Sequence, residues 1–315
     1  MFATATLRNR SFLGIGSLCL GAFVFSLQDA IIKSISGDHA VTLAIVMRCV
    51  VAFPILVVMV HLEVGLARLA SLNLPVLLLR GGLLLIAYTT YFMALPALPL
   101  AEAVALYFTV PILVTILSVP VLGERVGLKS WASVGMGFAG ILIILQPGSA
   151  LFEPAALLSL VSAATYASSM VLARRIGTQE SAAVMAFYQN AVFLCGAALA
   201  AAIFTSAGIE RIGHPSLDFL VRPWGLPSAW DSFIMGTCGV IAAAGAWLLT
   251  NAYRLANASL VTVFEYTGII WAPLWGFLFF AEIPRPTTII GMIIIVISGV
   301  YAVRAAEAKH AAESN

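Results

Sequence analysis

The sequence predicts an all-α membrane protein, with ten transmembrane helices arranged as two inverted five-helix repeats. Three observations carry this reading. Hydrophobic residues make up 62% of the 315-residue chain, charged residues only 10%, and mean hydropathy is +1.05. Soluble chains carry roughly 25% charged residues, so too little polar surface remains to cover a water-facing globule. The apolar residues also fall in runs long enough to cross a bilayer, and the second half of the chain echoes the first.

The runs lie at 12–32, 41–60, 76–95, 101–121, 129–146, 155–173, 184–204, 233–252, 260–281 and 288–303. Each is close to the roughly 20 residues that span the hydrocarbon core. Lipid offers the backbone no hydrogen-bond partner, so such runs must be helices, and barrel strands would alternate instead. Short breakers separate them, among them Ser36-Gly37-Asp38-His39 and Pro96-Ala97-Leu98-Pro99. The first run follows Arg8 and Arg10 but is too long for a signal peptide, and no small-residue cleavage site follows, so it reads as a retained span. If the N-terminus is cytoplasmic, eleven of the sixteen Lys and Arg residues fall inside and four outside, with Arg48 left within a span. That bias expects a multi-pass protein of the plasma (inner) membrane with both termini cytoplasmic. The long connection at 205–232 then lies outside, with Trp224 and Trp230 as interfacial anchors.

Internal similarity divides the chain. Gly81, Ala94, Leu106, Phe108 and Glu124 match Gly239, Ala252, Phe264, Tyr266 and Glu282 at an offset of 158, and Gly140 meets Gly299 one residue later. Earlier in each half the offset is 141, matching Ala22 with Ala163, Phe25 with Tyr166, Lys33 with Arg174 and Arg48 with Gln189. The longer 205–232 connection absorbs the difference. Each unit holds five spans, so the second enters the membrane inverted. The expected organisation is a first repeat at 1–148, a second at 149–304 and a cytoplasmic tail at 305–315. Inverted repeats put a site near the midplane between them and allow rocking that exposes it to alternate sides.

An ionisable group inside a span is costly and points to function. Asp29, Arg48, Glu102 and Glu265 are such groups. Arg48 fits either a solute anion or a lock with Asp29 or Glu265. Asp29 stands four residues before Lys33, the spacing of a local ion pair, or else serves a gate or proton-linked role. Glu102 opens the fourth span, where a helix N-terminus favours a carboxylate, or meets a polar group of the solute. Asp29 and Glu265 are the candidates for coupling to protons or another ion. Glu124 and Glu282 occupy equivalent helix ends and read as ties to the connecting loops. Tyr91, Tyr107, Tyr166, Gln189, Asn251, Tyr266 and Trp271, with Arg48 and Glu102, are the candidate solute-binding residues; an aromatic and amide lining suits a planar, partly polar solute. Helix–helix hydrogen bonding is the simpler account of the amides. Gly135, Gly137, Gly140, Gly291 and Gly299 allow close helix approach.

The segments Leu100-Ala101-Glu102-Ala103, Val110-Pro111, Leu122-Gly123-Glu124-Arg125-Val126-Gly127 and Gly137-Phe138-Ala139-Gly140 resemble the first EamA repeat of the drug/metabolite transporter superfamily. Phe264-Glu265-Tyr266, Trp271-Ala272, Trp275-Gly276, Phe280-Ala281-Glu282 and Gly291 to Gly299 resemble the second, with Ala281 where the family shows Gly. The resemblance implies a permease that moves a small organic metabolite by alternating access. The branch of riboflavin and S-adenosylmethionine uptake carriers is the nearest in pattern. An exporter of amino acids or drug-like metabolites is the alternative, and a structural or sensory membrane protein the alternative of another class.

No cofactor, metal or nucleic-acid partner is expected. Net charge is +2 without a basic stripe, and Cys19, Cys49, Cys195 and Cys238 lie singly in apolar runs without a CxxC pair. All four histidines fall in connections or the tail, no Walker A or GxSxG motif occurs, and the chain reads as a non-enzyme. Oligomeric state and direction of transport are not encoded in any motif.

Overall fold

The computed structural model describes residues 2–71, 73–123, 127–148, 152–176, 180–255 and 267–313, and the described residues contain helices and no strand. The order is α1 (Phe2–Ile35), α2 (Val41–Glu63), a 3₁₀ turn (Leu66–Leu69), α3 (Leu74–Ala94), α4 (Leu100–Tyr107), α5 (Val110–Leu122), α6 (Leu128–Leu145), α7 (Ala156–Ile176), α8 (Ala182–Ser206), α9 (Pro215–Val221), α10 (Ala229–Leu255), α11 (Gly268–Phe280) and α12 (Pro286–Glu313). Six stretches among these residues are long and apolar enough to cross a membrane: Leu13–Ile35, Val41–Glu63, Leu74–Ala94, Leu100–Val121, Ala156–Ala173 and Ala182–Ser206. Trp131–Leu145, Ala229–Gly245, Gly268–Phe280 and Pro286–Tyr301 are shorter apolar helices. Many large apolar side chains point outward from them, including Leu199, Ile203, Phe277 and Ile293. Lipid is the solvent that accepts such a surface.

The fourth apolar run is broken where the sequence reads as one helix. Phe108 and Thr109 form a turn between α4 and α5. Pro111 has no N–H to give the Tyr107 carbonyl four residues earlier, so the ladder cannot run through. The connection at 205–232 is likewise not a plain loop. It contains α9, whose Phe219 is fully buried.

Helix pairs hold the bundle. The extensive contacts are α6 with α12, α1 with α10, α3 with α7, and α2 with α8; α2 also meets α10, α3 meets α8, α5 meets α7 and α1 meets α11. Several of these seams rest on missing side chains. A Cβ on Gly239 would stand 2.4 Å from the Arg48 carbonyl and 2.8 Å from Val51 Cβ, and one on Gly81 would stand 2.9 Å from Val192 Cγ2. Between α6 and α12, a Cβ on Gly140 would approach the Gly291 carbonyl at 3.1 Å, and one on Gly291 the Gly140 carbonyl at 2.8 Å. Gly137 is equally crowded, against Ile112, whereas Gly135 has open space around its Cβ position. Without a hydrophobic drive between helices in lipid, close backbone approach of this kind supplies the packing energy.

Candidate functional site

Polar ties close both ends of the bundle around a central cavity. At the end formed by residues 36–40, 96–99 and 281–285, Lys33 Nζ donates to the Leu98 carbonyl at 2.5 Å and pairs with Glu282 Oε1 at 2.5 Å. Glu282 Oε2 accepts the Leu100 N–H at 2.8 Å, so a carboxylate from before α12 caps the start of α4. Glu102, only 2% exposed, pairs with Arg285 at 2.5 Å. Arg222 donates to the Ser36 and His39 carbonyls, His39 pairs with Asp231 at 3.0 Å, and Trp224 Nε1 donates to Thr42 Oγ1. At the opposite end, Asn73 Nδ2 donates to Glu180 Oε1 at 3.0 Å and Ser71 bonds the same oxygen. There Tyr188 also donates to the Leu69 carbonyl, and Glu63 accepts the Ala183 N–H.

Between these ends lies a cavity of about 240 Å³, lined by residues of α1, α3, α4, α7 and the start of α11. Tyrosines dominate it. Tyr91 and Tyr107 have ring centroids 5.2 Å apart, Tyr107 and Tyr166 5.5 Å, and Tyr88 closes the set. Asp29 is the charged residue in the lining, and its Oδ2 accepts the Tyr91 hydroxyl at 2.9 Å. Gln28 and Ser162 also line it; Gln28 Oε1 and Ser162 Oγ are buried without a hydrogen-bond partner among the described residues. The α4–α5 break puts Tyr107, Phe108 and Val110 on the wall.

Of the residues singled out from the sequence, Asp29, Tyr91, Tyr107 and Tyr166 therefore meet at this cavity. Arg48 does not line it: the guanidinium is buried behind, 5.1 Å from the Tyr88 centroid and 5.8 Å from that of Phe193. Glu102 is occupied by Arg285 and faces away. Trp271 stacks on Trp275 and meets Phe23 edge-on outside the lining. Gln189 is half-buried on α8 and is not on the wall, while its neighbour Asn190 donates to the Cys49 carbonyl at 3.1 Å. Glu265 and Tyr266 lie outside the described residues, as does the Asn251 side chain; Glu124 is likewise outside them. The local Asp29–Lys33 pair is not formed. Tyr91 takes the aspartate and Glu282 the lysine, because the two side chains are drawn to partners on α3 and on the turn before α12.

Sequence reasoning passed over Gln28, Ser162, Phe25 and Arg80. Arg80 counted there only as an orientation charge. It sits on α3 outside the cavity lining, with a buried Nε that lacks a hydrogen-bond partner among the described residues, near enough to Tyr166 and Tyr88 for electrostatic interaction. Arg80 and Tyr91 are eleven residues apart, near three full turns, and this spacing was the available signal that they share a helix face.

An all-helical bundle with a membrane-compatible surface and an aromatic cavity holding one acidic side chain fits a multi-pass membrane carrier. Residues 12–146 match the EamA-like transporter family. The chain is 29% identical over 290 residues to the pseudopaline exporter CntI of Pseudomonas aeruginosa, covering 90% of this chain and 94% of that one. It is 24% identical to the S-adenosylmethionine uptake transporter of Rickettsia prowazekii over 69% of this chain and 68% of the relative. For the riboflavin transporter of Vibrio cholerae the values are 28%, 70% and 68%. A solved crystal structure overlays with a TM-score of 0.61 at 20% identity, covering 93% of this chain and 97% of that chain, which supports the fold. The first half of the chain is thus similar to the EamA-like transporter family, and the relatives aligned over most of the chain are named as transporters of small metabolites.

Proposed function

We propose that this small-metabolite permease carries its solute through the tyrosine-lined cavity by alternating access between two inverted five-span repeats. The single observation that carries the reading is a set of contacts that occur twice, once at each end. His39 pairs with Asp231 at one end and Glu180 with Asn73 at the other. Positions 39 and 180 stand 141 apart, and 73 and 231 stand 158 apart, the two offsets that relate the halves. The same offsets relate Val51 to Val192 and Gly239 to Gly81, which pack as Gly239 on Val51 and Gly81 on Val192. The helix pairings follow suit: α1 on α10 corresponds to α7 on α3, and α2 on α10 to α8 on α3. A pseudo-two-fold axis in the membrane plane accounts for all of these together.

On this reading the six long and four shorter apolar stretches make ten spans, with repeats at 1–148 and 149–304. The positive-inside bias puts both ends of the chain in the cytoplasm of a plasma-membrane protein. Lys33, Glu282, Glu102 and Arg285 then form the outer closure. Asp29, half-buried in the cavity wall, is the coupling candidate. The carrier runs no catalysis of its own; its relatives are named as transporters. Solutes of the riboflavin and S-adenosylmethionine type fit an aromatic, partly polar cavity. Export is the second reading of direction, favoured by the relative named as an exporter, which aligns over 94% of its length.

The test is counterflow of radiolabelled riboflavin and S-adenosylmethionine in proteoliposomes. Wild type should exchange at least one of them. Ala22→Trp, which fills the cavity from α1, should abolish the exchange without lowering the melting temperature by more than a few degrees. Undiminished exchange by Ala22→Trp would remove the cavity from the path.

A further inference from the structure

A second concavity lies on the α6–α12 seam, and we propose that it binds an anionic phospholipid of the cytoplasmic leaflet, with one acyl chain in the groove and the phosphate at Arg304. The site stands apart from the solute path and rests on the preceding reading only for its leaflet. Ala132, Ser133 and Met136 of α6 and Ile297 and Tyr301 of α12 line a space of about 260 Å³. Apart from the Ser133 and Tyr301 hydroxyls, those side chains are apolar. Ala132, Ile297 and Tyr301 are exposed, as are Trp131, Phe138 and Ile293 along the same two helices. The seam behind the groove is shut. Ser298 Oγ donates to the Ser133 carbonyl at 2.5 Å, and Gly140 and Gly291 bring the backbones together further on. The groove therefore opens toward the bilayer, and it shares no lining residue with the solute cavity.

Its depth follows from where the apolar stretches stop. The Ser133–Ser298 and Gly140–Gly291 contacts mean that α6 and α12 run antiparallel, which puts Trp131 and Tyr301 at one level. Trp131 opens the stretch Trp131–Leu145 and Tyr301 closes the stretch Pro286–Tyr301. Aromatic rings at such ends mark the boundary between hydrocarbon and headgroups. The groove lies just on the hydrocarbon side of that boundary, where a flexible acyl chain fits it and Met136 can adapt to the fit. Ile297, Tyr301 and Arg304 follow one another at spacings of four and three, so they share one face of α12. Arg304 is exposed one turn past the groove. It is no part of the groove wall; the headgroup of a lipid whose chain lies against Ile297 emerges at its level. A guanidinium takes a phosphate through paired hydrogen bonds, and the Tyr301 hydroxyl between them meets the glycerol esters. By the positive-inside bias this end is cytoplasmic, and that leaflet carries the anionic lipids. A neutral lipid would use the groove alone.

Native mass spectrometry of the purified full chain, given equal amounts of palmitoyl-oleoyl phosphatidylglycerol and phosphatidylcholine, tests the site without a transport assay. Wild type should retain one phosphatidylglycerol, preferred about fivefold over phosphatidylcholine, the worth of one interfacial arginine on an anionic surface. Arg304→Gln should bring that ratio close to one, and Arg304→Lys should keep it. Ala132→Trp and Ile297→Trp, which fill the groove from either helix, should lose retained lipid of both kinds, while Leu199→Trp on the exposed face of α8 should keep it. Melting curves establish that each filler folds, and the Arg304 variants decide alone where one does not. A wild-type ratio near one, or lipid retained by both folded fillers, would overturn the proposal. So would a dimer that Ala132→Trp dissociates, which would give the groove to a second copy of the chain. Solute counterflow plays no part in these readouts, so the carrier reading and the lipid site fail separately.

Discussion

Lys33 and Glu282 form a 2.5 Å ion pair that fastens the end of α1 to the turn before α12, and the second oxygen of that carboxylate caps α4. One side chain thus ties two other elements, α1 and α4, to the turn before α12. Removing its charge leaves Lys33 and the Leu100 N–H with a weaker acceptor in a partly buried place. Glu282→Gln is expected to cost about 2 kcal/mol, the value of a hydrogen bond to a charged group. Thermal unfolding in detergent reads this out directly. An unchanged melting temperature would show that the pair is ornamental.

The α2–α10 seam rests on Gly239. Its Cβ position is 2.4 Å from a backbone carbonyl, which cannot move aside as a side-chain tip could. Gly239→Ala should therefore destabilise by about 1–3 kcal/mol through overpacking. Gly16→Ala, whose Cβ meets nothing within 4 Å, is the matched control and should be close to neutral. Equal melting temperatures for the two variants would contradict the close approach of α2 and α10.

Asp218 orders the connection before α10. Its carboxyl is held below the ordinary carboxylate range, chiefly by the Ile212 and Gly213 backbone N–H groups and further by Arg211. A depressed folded value stabilises the loop above the ordinary carboxylate pKa, and the contribution disappears as pH falls through the folded value. Asp218→Asn should accordingly speed amide exchange at Ile212 and Gly213 at neutral pH. Wild type should lose that protection only in acid. Equal exchange in the two proteins would place the order of this loop elsewhere.

Tyr107 stands between Tyr91 and Tyr166 in the ring wall and owes its place to the helix break before Pro111. Tyr107→Ala should weaken solute binding by roughly tenfold, through loss of a ring contact worth about 1.5 kcal/mol. Trp230→Ala, on an exposed stacked pair with Phe233 away from the cavity, should not change it. A titration showing equal effects would detach Tyr107 from the site.

Much of this architecture is legible in the chain because lipid imposes one rule, backbone satisfaction within the segment, and the apolar runs obey it. The cavity tyrosines and Asp29 stand out as polar groups in such runs. What escapes sequence reasoning is the choice of partner. Lys33 lies four residues from Asp29, yet Glu282 and Tyr91, far along the chain, outcompete that local pair. Glu102 pairs with Arg285 and Arg48 stacks behind Tyr88, and no spacing encodes either contact. Arg80 escapes for a different reason: seven residues into α3, it looks like an end-of-span charge until the neighbouring tyrosines are located in space.

The central claim, that solute passes through the cavity only when the Lys33–Glu282 end opens, is tested most directly by bridging that end. In Lys33→Cys/Glu282→Cys protein, a reducible bis-methanethiosulfonate should join the two thiols. Solute counterflow in proteoliposomes should stop when the bridge forms and return on reduction, with each single-cysteine variant unaffected by the reagent. Full counterflow with the bridge in place would contradict the account.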